Sequence, residues 1–137
     1  MLVPHAMTGI DTNVILRAAL DDDPVQSRLA QELLETLTRE TPGFVTMVTL
    51  AEVFWIVRRR EGFSNDTALA LIRGLVESEV LEFDDGEGVV RALEAAGDGA
   101  DFADALIDST MAQFGVTNTV TFDRRAAQRL GWRLLED

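Results

Sequence analysis

The chain contains no cysteine, no lysine and a single histidine, His5. Without cysteine there are no disulfides, no thiolate metal sites and no thiol nucleophile. Without lysine there is no Schiff-base chemistry and no P-loop lysine, and no glycine-rich phosphate loop appears. One histidine near the N-terminus leaves almost nothing from which to build a Ser-His-Asp triad or a histidine-rich zinc site. No uninterrupted apolar run approaches the ~20 residues of a membrane span. No basic segment followed by an apolar run suggests a secretory signal, so a cytoplasmic location and no membrane partner are the default expectation.

What remains is apolar and acidic. Hydrophobic residues make up 47% of 137 positions, enough for one packed domain over residues 1–137. The formal net charge is −12, which argues against long-range attraction to nucleic acid. All twelve cations are arginine. Arg58-Arg59-Arg60 and the group Arg124, Arg125, Arg129 and Arg133 each follow an acidic segment. Either group could hold phosphates, or simply solvate helix ends.

Strand-like and helix-like segments alternate. Residues 6–10 read as a short buried strand and 12–20 as a helix. Pro24 suits the first turn of a second helix, whose Leu29, Leu33 and Leu37 repeat at four-residue spacing to about Glu40. Residues 44–48 read as a strand, followed by a helix with Leu50, Val53, Phe54 and Val57 on one face and Gly62 at its end. A helix opened by Ser64-Asn65-Asp66 carries Leu69, Ile72, Leu75 and Val76. Then come a strand at 80–83, a turn at 84–88, a short helix to Ala96 and a loop at Gly97-Asp98-Gly99. A helix at 101–114, a strand at 116–122, a helix at 124–130 and a strand at 132–135 complete the chain. This order predicts a three-layer α/β/α sandwich with a mainly parallel central sheet.

Asp11, Glu52, Asp104 and Asp123 each stand where an apolar run gives way to a helical pattern. In an open parallel sheet the carboxyl ends of the strands share one edge, where ligands bind. Each acid also has a structural reading as a helix cap. Thr49 and Glu52 fit a capping box, as do Asp101 and Asp104. Capping does not explain Asp108, which joins Asp101 and Asp104 on one helical stripe, although a solvated face would. Grouped carboxylates repel unless a cation neutralises them, and oxygen donors suit Mg²⁺ or Mn²⁺. Such an ion would activate water without histidine.

Taken in order, four segments resemble a PIN domain, and within that superfamily a VapC-type toxin of a toxin–antitoxin pair. They are Asp11-Thr-Asn-Val-Ile-Leu, Thr49-Leu-Ala-Glu52-Val, Ala100-Asp-Phe-Ala-Asp104-Ala-Leu-Ile and Thr119-Val-Thr-Phe-Asp123-Arg. The resemblance spans nearly the whole chain; residues 1–5 are longer than the family's usual opening. It implies a metal-dependent endoribonuclease that hydrolyses RNA with activated water. Asp11, Glu52, Asp104 and Asp123 would serve as catalytic acids and Mg²⁺ or Mn²⁺ ligands. Asn13 and Thr121 match positions that support those acids by hydrogen bonds, and Asp101 is an added acid on the same face. The resemblance also implies a homodimer and a cognate antitoxin that blocks the cleft.

Other readings stand beside it. A catalytically silent PIN-like binding module would lack the need for an intact quartet. A haloacid-dehalogenase-like phosphatase would want a second aspartate where Asn13 stands, and it and a receiver domain usually carry a lysine that is absent here.

Overall fold

A computed structural model of the chain describes residues 6–137, so His5 and the rest of the opening segment lie outside the described residues. These residues form two compact units, one ending at Asp84 and one beginning at Asp85.

In the first unit, β1 (Thr8–Gly9), β2 (Gly43–Val45) and β3 (Leu81–Phe83) form a parallel sheet in that order. Parallel neighbours need crossovers, and helices supply them. Helices α1 (Thr12–Leu20) and α2 (Pro24–Glu35) link β1 to β2. Helices α3 (Met47–Arg59) and α4 (Asn65–Val76) link β2 to β3. The apolar stripe expected in α3 is its buried face: Leu50, Val53, Phe54 and Val57 are at most 2% exposed.

Several expectations are corrected here. Residues 6–9 are exposed, and of the predicted buried strand only Ile10 is buried, donating its N–H to Phe44 O at 2.9 Å. Strand β2 ends early because Thr46 caps α3, its Oγ1 accepting from the Thr49 N–H at 3.1 Å. Thr46 rather than Thr49 is therefore the cap, and the helix starts three residues before Leu50. Helix α2 stops at Glu35, short of Glu40, and buries Ser27 and Ala30 while Leu29 and Leu33 are exposed. Four-residue spacing defines a stripe, but α2 buries Ser27 and Ala30, and of the three leucines only Leu37, beyond the helix end, is buried.

In the second unit, α5 (Gly86–Gly97) packs on α6 (Phe102–Gln113), and the buried Ser109 hydroxyl donates to Gly88 O at 3.1 Å. Strands β4 (Val120–Thr121) and β5 (Arg133–Leu134) pair in parallel around α7 (Arg124–Leu130). The described strands pair in parallel throughout, three in the first unit and two in the second, as the α/β sandwich expected of the sequence requires. The strand expected at 116–122 shrinks to two residues because its first part finishes α6. Gly115 adopts a φ of 74°, and the Val116 N–H returns to Met111 O at 3.0 Å. Among the described residues, no helix is long and apolar enough to cross a membrane.

Two glycines should respond oppositely to alanine. A Cβ on Gly43 would meet Leu81 Cδ2 at 2.8 Å and Leu37 Cδ1 at 2.9 Å, whereas one on Gly74, inside α4, meets nothing within 4 Å. Gly43→Ala should cost about 1–3 kcal/mol through overpacking. Gly74→Ala should stabilise by roughly 0.5–1 kcal/mol through helix propensity. Urea denaturation of both variants checks this; equal shifts in one direction would contradict the packing described.

Candidate active site

In the first unit, Asp11 follows Ile10 and caps α1. Its Oδ1 accepts from the Thr12 N–H at 2.8 Å, while the other oxygen has no partner among the described residues. The residue is exposed because it stands where the chain leaves the sheet. Glu52 is the sixth residue of α3, a turn beyond the cap, so the capping-box reading does not hold for it. It is exposed and makes no hydrogen bond or ion pair with another described residue. The Asn13 side chain makes no hydrogen bond with another described residue. It lines a cavity of ≈ 480 Å³ with Val14, Arg17, Gln26, Leu29 and Leu33.

In the second unit, three aspartates come together from two helix starts. Asp101 caps α6, its Oδ2 accepting from the Asp104 N–H at 3.0 Å. Asp123 caps α7, its Oδ1 accepting from Arg125 N–H at 2.9 Å and Ala126 N–H at 3.1 Å. The Thr121 Oγ1 accepts from the Asp123 backbone N–H at 2.9 Å. Asp104, at the third position of α6, caps nothing. Partial burial, then the charges of Asp101 and Asp123, hold its carboxyl above the ordinary aspartate value. Asp108 is explained differently: its Oδ1 accepts from the Trp132 indole N–H at 2.7 Å, tying α6 to the segment that enters β5.

The arginines are mostly committed to structure. Arg58 donates to Asn65 at 3.0 Å, Arg59 lies 4.0 Å over the Trp55 ring, and Arg60 pairs with Asp22 at 3.0 Å. Arg124 pairs with Glu136 at 3.3 Å. Arg125 donates to Gly99 O at 3.1 Å and Arg129 to Asp98 O at 3.2 Å. These two bonds anchor α7, with Asp123 at its start, to the turn that precedes Asp101. Sequence reasoning missed that anchor; its one visible signal was Gly99, whose φ is 109° and where a Cβ would lie 3.0 Å from the Arg129 guanidinium carbon.

Chemically, the acids offer hard oxygen donors alone. Among the described residues, no group of three or more histidine, cysteine or acidic side chains is arranged to hold a metal ion as it stands.

The crowding of Asp104 has a sign that can be worked out. A carboxyl raised in the folded state takes up protons more readily there than in the unfolded chain. Folding is therefore penalised above its ordinary pKa, and the penalty disappears as the group protonates at lower pH. Asp104→Asn should raise stability at neutral pH by a few tenths of a kcal/mol, small because solvent screens a partly exposed group. The gain should fade toward pH 3. Thermal melts across that range test this, and a loss of stability at pH 7 would contradict it.

Among families of known domains, the PIN domain model matches residues 10–131, from the end of the first strand segment to the glycine that closes α7. No curated protein matches the chain. The match covers most of the sequence and includes all four acids, along with the helices and parallel strands of an α/β sandwich. The chain belongs to the PIN domain family, whose members are typically nucleases.

Proposed function

We propose that the chain, a single domain over residues 1–137, is a Mg²⁺- or Mn²⁺-dependent endoribonuclease acting as the toxin of a toxin–antitoxin pair. Asp11, Glu52, Asp104 and Asp123 hold the cation and serve as the catalytic acids. The observation that carries this reading is the crowding of Asp104 by Asp101 and Asp123 in a member of a nuclease family. Carboxylates held together at an energetic cost are what a cation would relieve. The donor set fits such an ion, since only carboxylate oxygens are offered and no soft ligand competes.

A cation held by Asp11, Glu52, Asp104 and Asp123 would supply polarisation of a phosphoryl oxygen and a lowered pKa for bound water. The chain's own residues divide the remaining work. Asp11 and Asp123 each keep one oxygen on a helix N-terminus, which fixes the direction of the other. Thr121 holds the Asp123 backbone, and Asp101 is retained as a cap beside Asp104. Glu52 and Asp104 spend neither oxygen on capping, so both are free to bind the ion or accept a proton from water. The reading also takes the protein as a homodimer with a cognate antitoxin. An antitoxin arginine would suit the acids, because a guanidinium pairs bidentately with carboxylates and stays charged when desolvated.

Isothermal titration with Mn²⁺ and end-analysis of cleaved RNA test the proposal. Asp11→Asn, Glu52→Gln, Asp104→Asn and Asp123→Asn should each weaken the same binding event and abolish cleavage. Thr121→Val, which removes a supporting hydroxyl, should cost about 10–100-fold in metal affinity or activity. Products should carry 5′-phosphate and 3′-hydroxyl ends, as attack by water requires. Cyclic 2′,3′-phosphates, or full activity in Glu52→Gln, would overturn the mechanism. An unmutated chain that binds RNA and never cuts it would favour a silent binding module.

A further inference from the structure

The small sheet of the second unit carries a face that no packing in that unit explains. Val120 and Arg133 are parallel partners, so their side chains leave the same side of the sheet. The next pair, Thr121 and Leu134, is half-buried on the other side, and Phe122 follows at a bend just past the end of β4. Phe122 is 82% exposed and Val120 45%. Arg133 is exposed and its guanidinium makes no hydrogen bond or ion pair with another described residue, whereas those of Arg124, Arg125 and Arg129 in the same unit are all engaged. An uncommitted guanidinium beside Val120 and, two residues after Val120, an aromatic ring in water thus lie at one end of this sheet, and the residue after Phe122 is Asp123.

We propose that this face is a platform for single-stranded RNA, with Phe122 stacking on a base and Arg133 contacting a backbone phosphate. The inference rests on the ribonuclease reading and extends it to the residues that seat the substrate. A single strand is favoured over a duplex because stacking on Phe122 requires an unpaired, accessible base. Stacking on an aromatic ring tolerates any base, and a lone arginine reads charge, so the face positions the strand without selecting sequence. Its place fits that role, since a nucleotide stacked on Phe122 lies beside the residue that begins α7 with its carboxylate. The rest of the chain is strongly acidic, which makes a local aromatic contact more valuable than long-range attraction.

Fluorescence anisotropy with a labelled single-stranded oligouridine, in EDTA so that nothing is cut, measures the face without relying on catalysis. Phe122→Ala should weaken binding by about 5–100-fold, the range of base–aromatic stacking, and Phe122→Trp should restore it. Arg133→Ala should flatten the salt dependence by about 0.7 in log–log slope, the share of one phosphate on a single strand. A duplex of the same length should bind more weakly and be indifferent to Phe122. Circular dichroism would confirm that the exposed positions tolerate substitution. Unchanged affinity in Phe122→Ala, or no oligonucleotide binding at all, would overturn the platform. A change confined to the sedimentation coefficient would assign the face to contact between copies of the chain and equally overturn it. Failure of the ribonuclease reading looks different: RNA bound through Phe122 and never cleaved with Mn²⁺ restored.

Discussion

Every helix among the described residues begins with backbone N–H groups that lack intrahelical acceptors, and a side chain supplies one in each case. Asp11, Asp23, Asp85, Asp101 and Asp123 do this for five helices, and Thr46 and Ser64 for the other two. That requirement concentrates carboxylates at helix starts, where the helix dipole also favours negative charge. It explains why structural and chemical readings of Asp11 and Asp123 are compatible. A cap occupies one carboxylate oxygen and immobilises the group; the second oxygen is left for other use. Glu52 and Asp104 differ, since neither caps, and partial burial together with two neighbouring like charges raises the Asp104 carboxyl above its ordinary value.

A chain of net charge −12 must also decide where its cations go. Here most guanidinium groups are spent locally, on carbonyls, carboxylates and an indole ring. Arg125 and Arg129 illustrate the logic. Carbonyls that follow the end of α5 need donors, and the planar forks of α7 supply them across 26 and 31 residues of sequence. Gly99 is required twice over at that contact, for its backbone angle and for the space a Cβ would take from Arg129. The result fixes the segment before Asp101 to the helix that Asp123 begins, so that the closeness of the aspartates is maintained by arginines that touch none of their carboxylates.

Helix chemistry was the more legible part of the sequence. The bounds of α1 and α7 follow from an aspartate cap at one end and an Asp or Gly in left-handed conformation at the other, and such signals are local. Strand lengths were not legible, because a β-branched run does not reveal where the ladder stops. Thr46 looks like strand and acts as a cap; Val116 looks like strand and closes a helix. The stripe of Leu29 and Leu33 misled for another reason, since periodicity gives a face but not which neighbour it meets. Asp108 was grouped with the site acids by spacing, and only the indole of Trp132, 24 residues away, shows it to be a structural acceptor. The Thr121 hydroxyl, two residues before a cap, reaches the cap's N–H, while the Asn13 amide, exposed inside α1, bonds no other described residue.

These features bear on how an acidic protein can act on an acidic polymer. Phosphodiester RNA and a chain of charge −12 repel at long range, so encounter cannot rest on a broad basic surface. Binding has to come from short-range terms. A divalent cation held by carboxylates would reverse the local sign at the reacting phosphate, and stacking on an exposed ring does not depend on charge at all. With the arginine triplet at Arg58, Arg59 and Arg60 engaged by Asn65, Trp55 and Asp22, it is not a ready phosphate clamp. Under the proposed function, affinity for RNA would depend on a bound cation and on an unpaired base more than on salt. In that respect Asp11 and Asp123, which cap helices, would act with the non-capping Glu52 and Asp104 to set the terms on which the chain meets RNA.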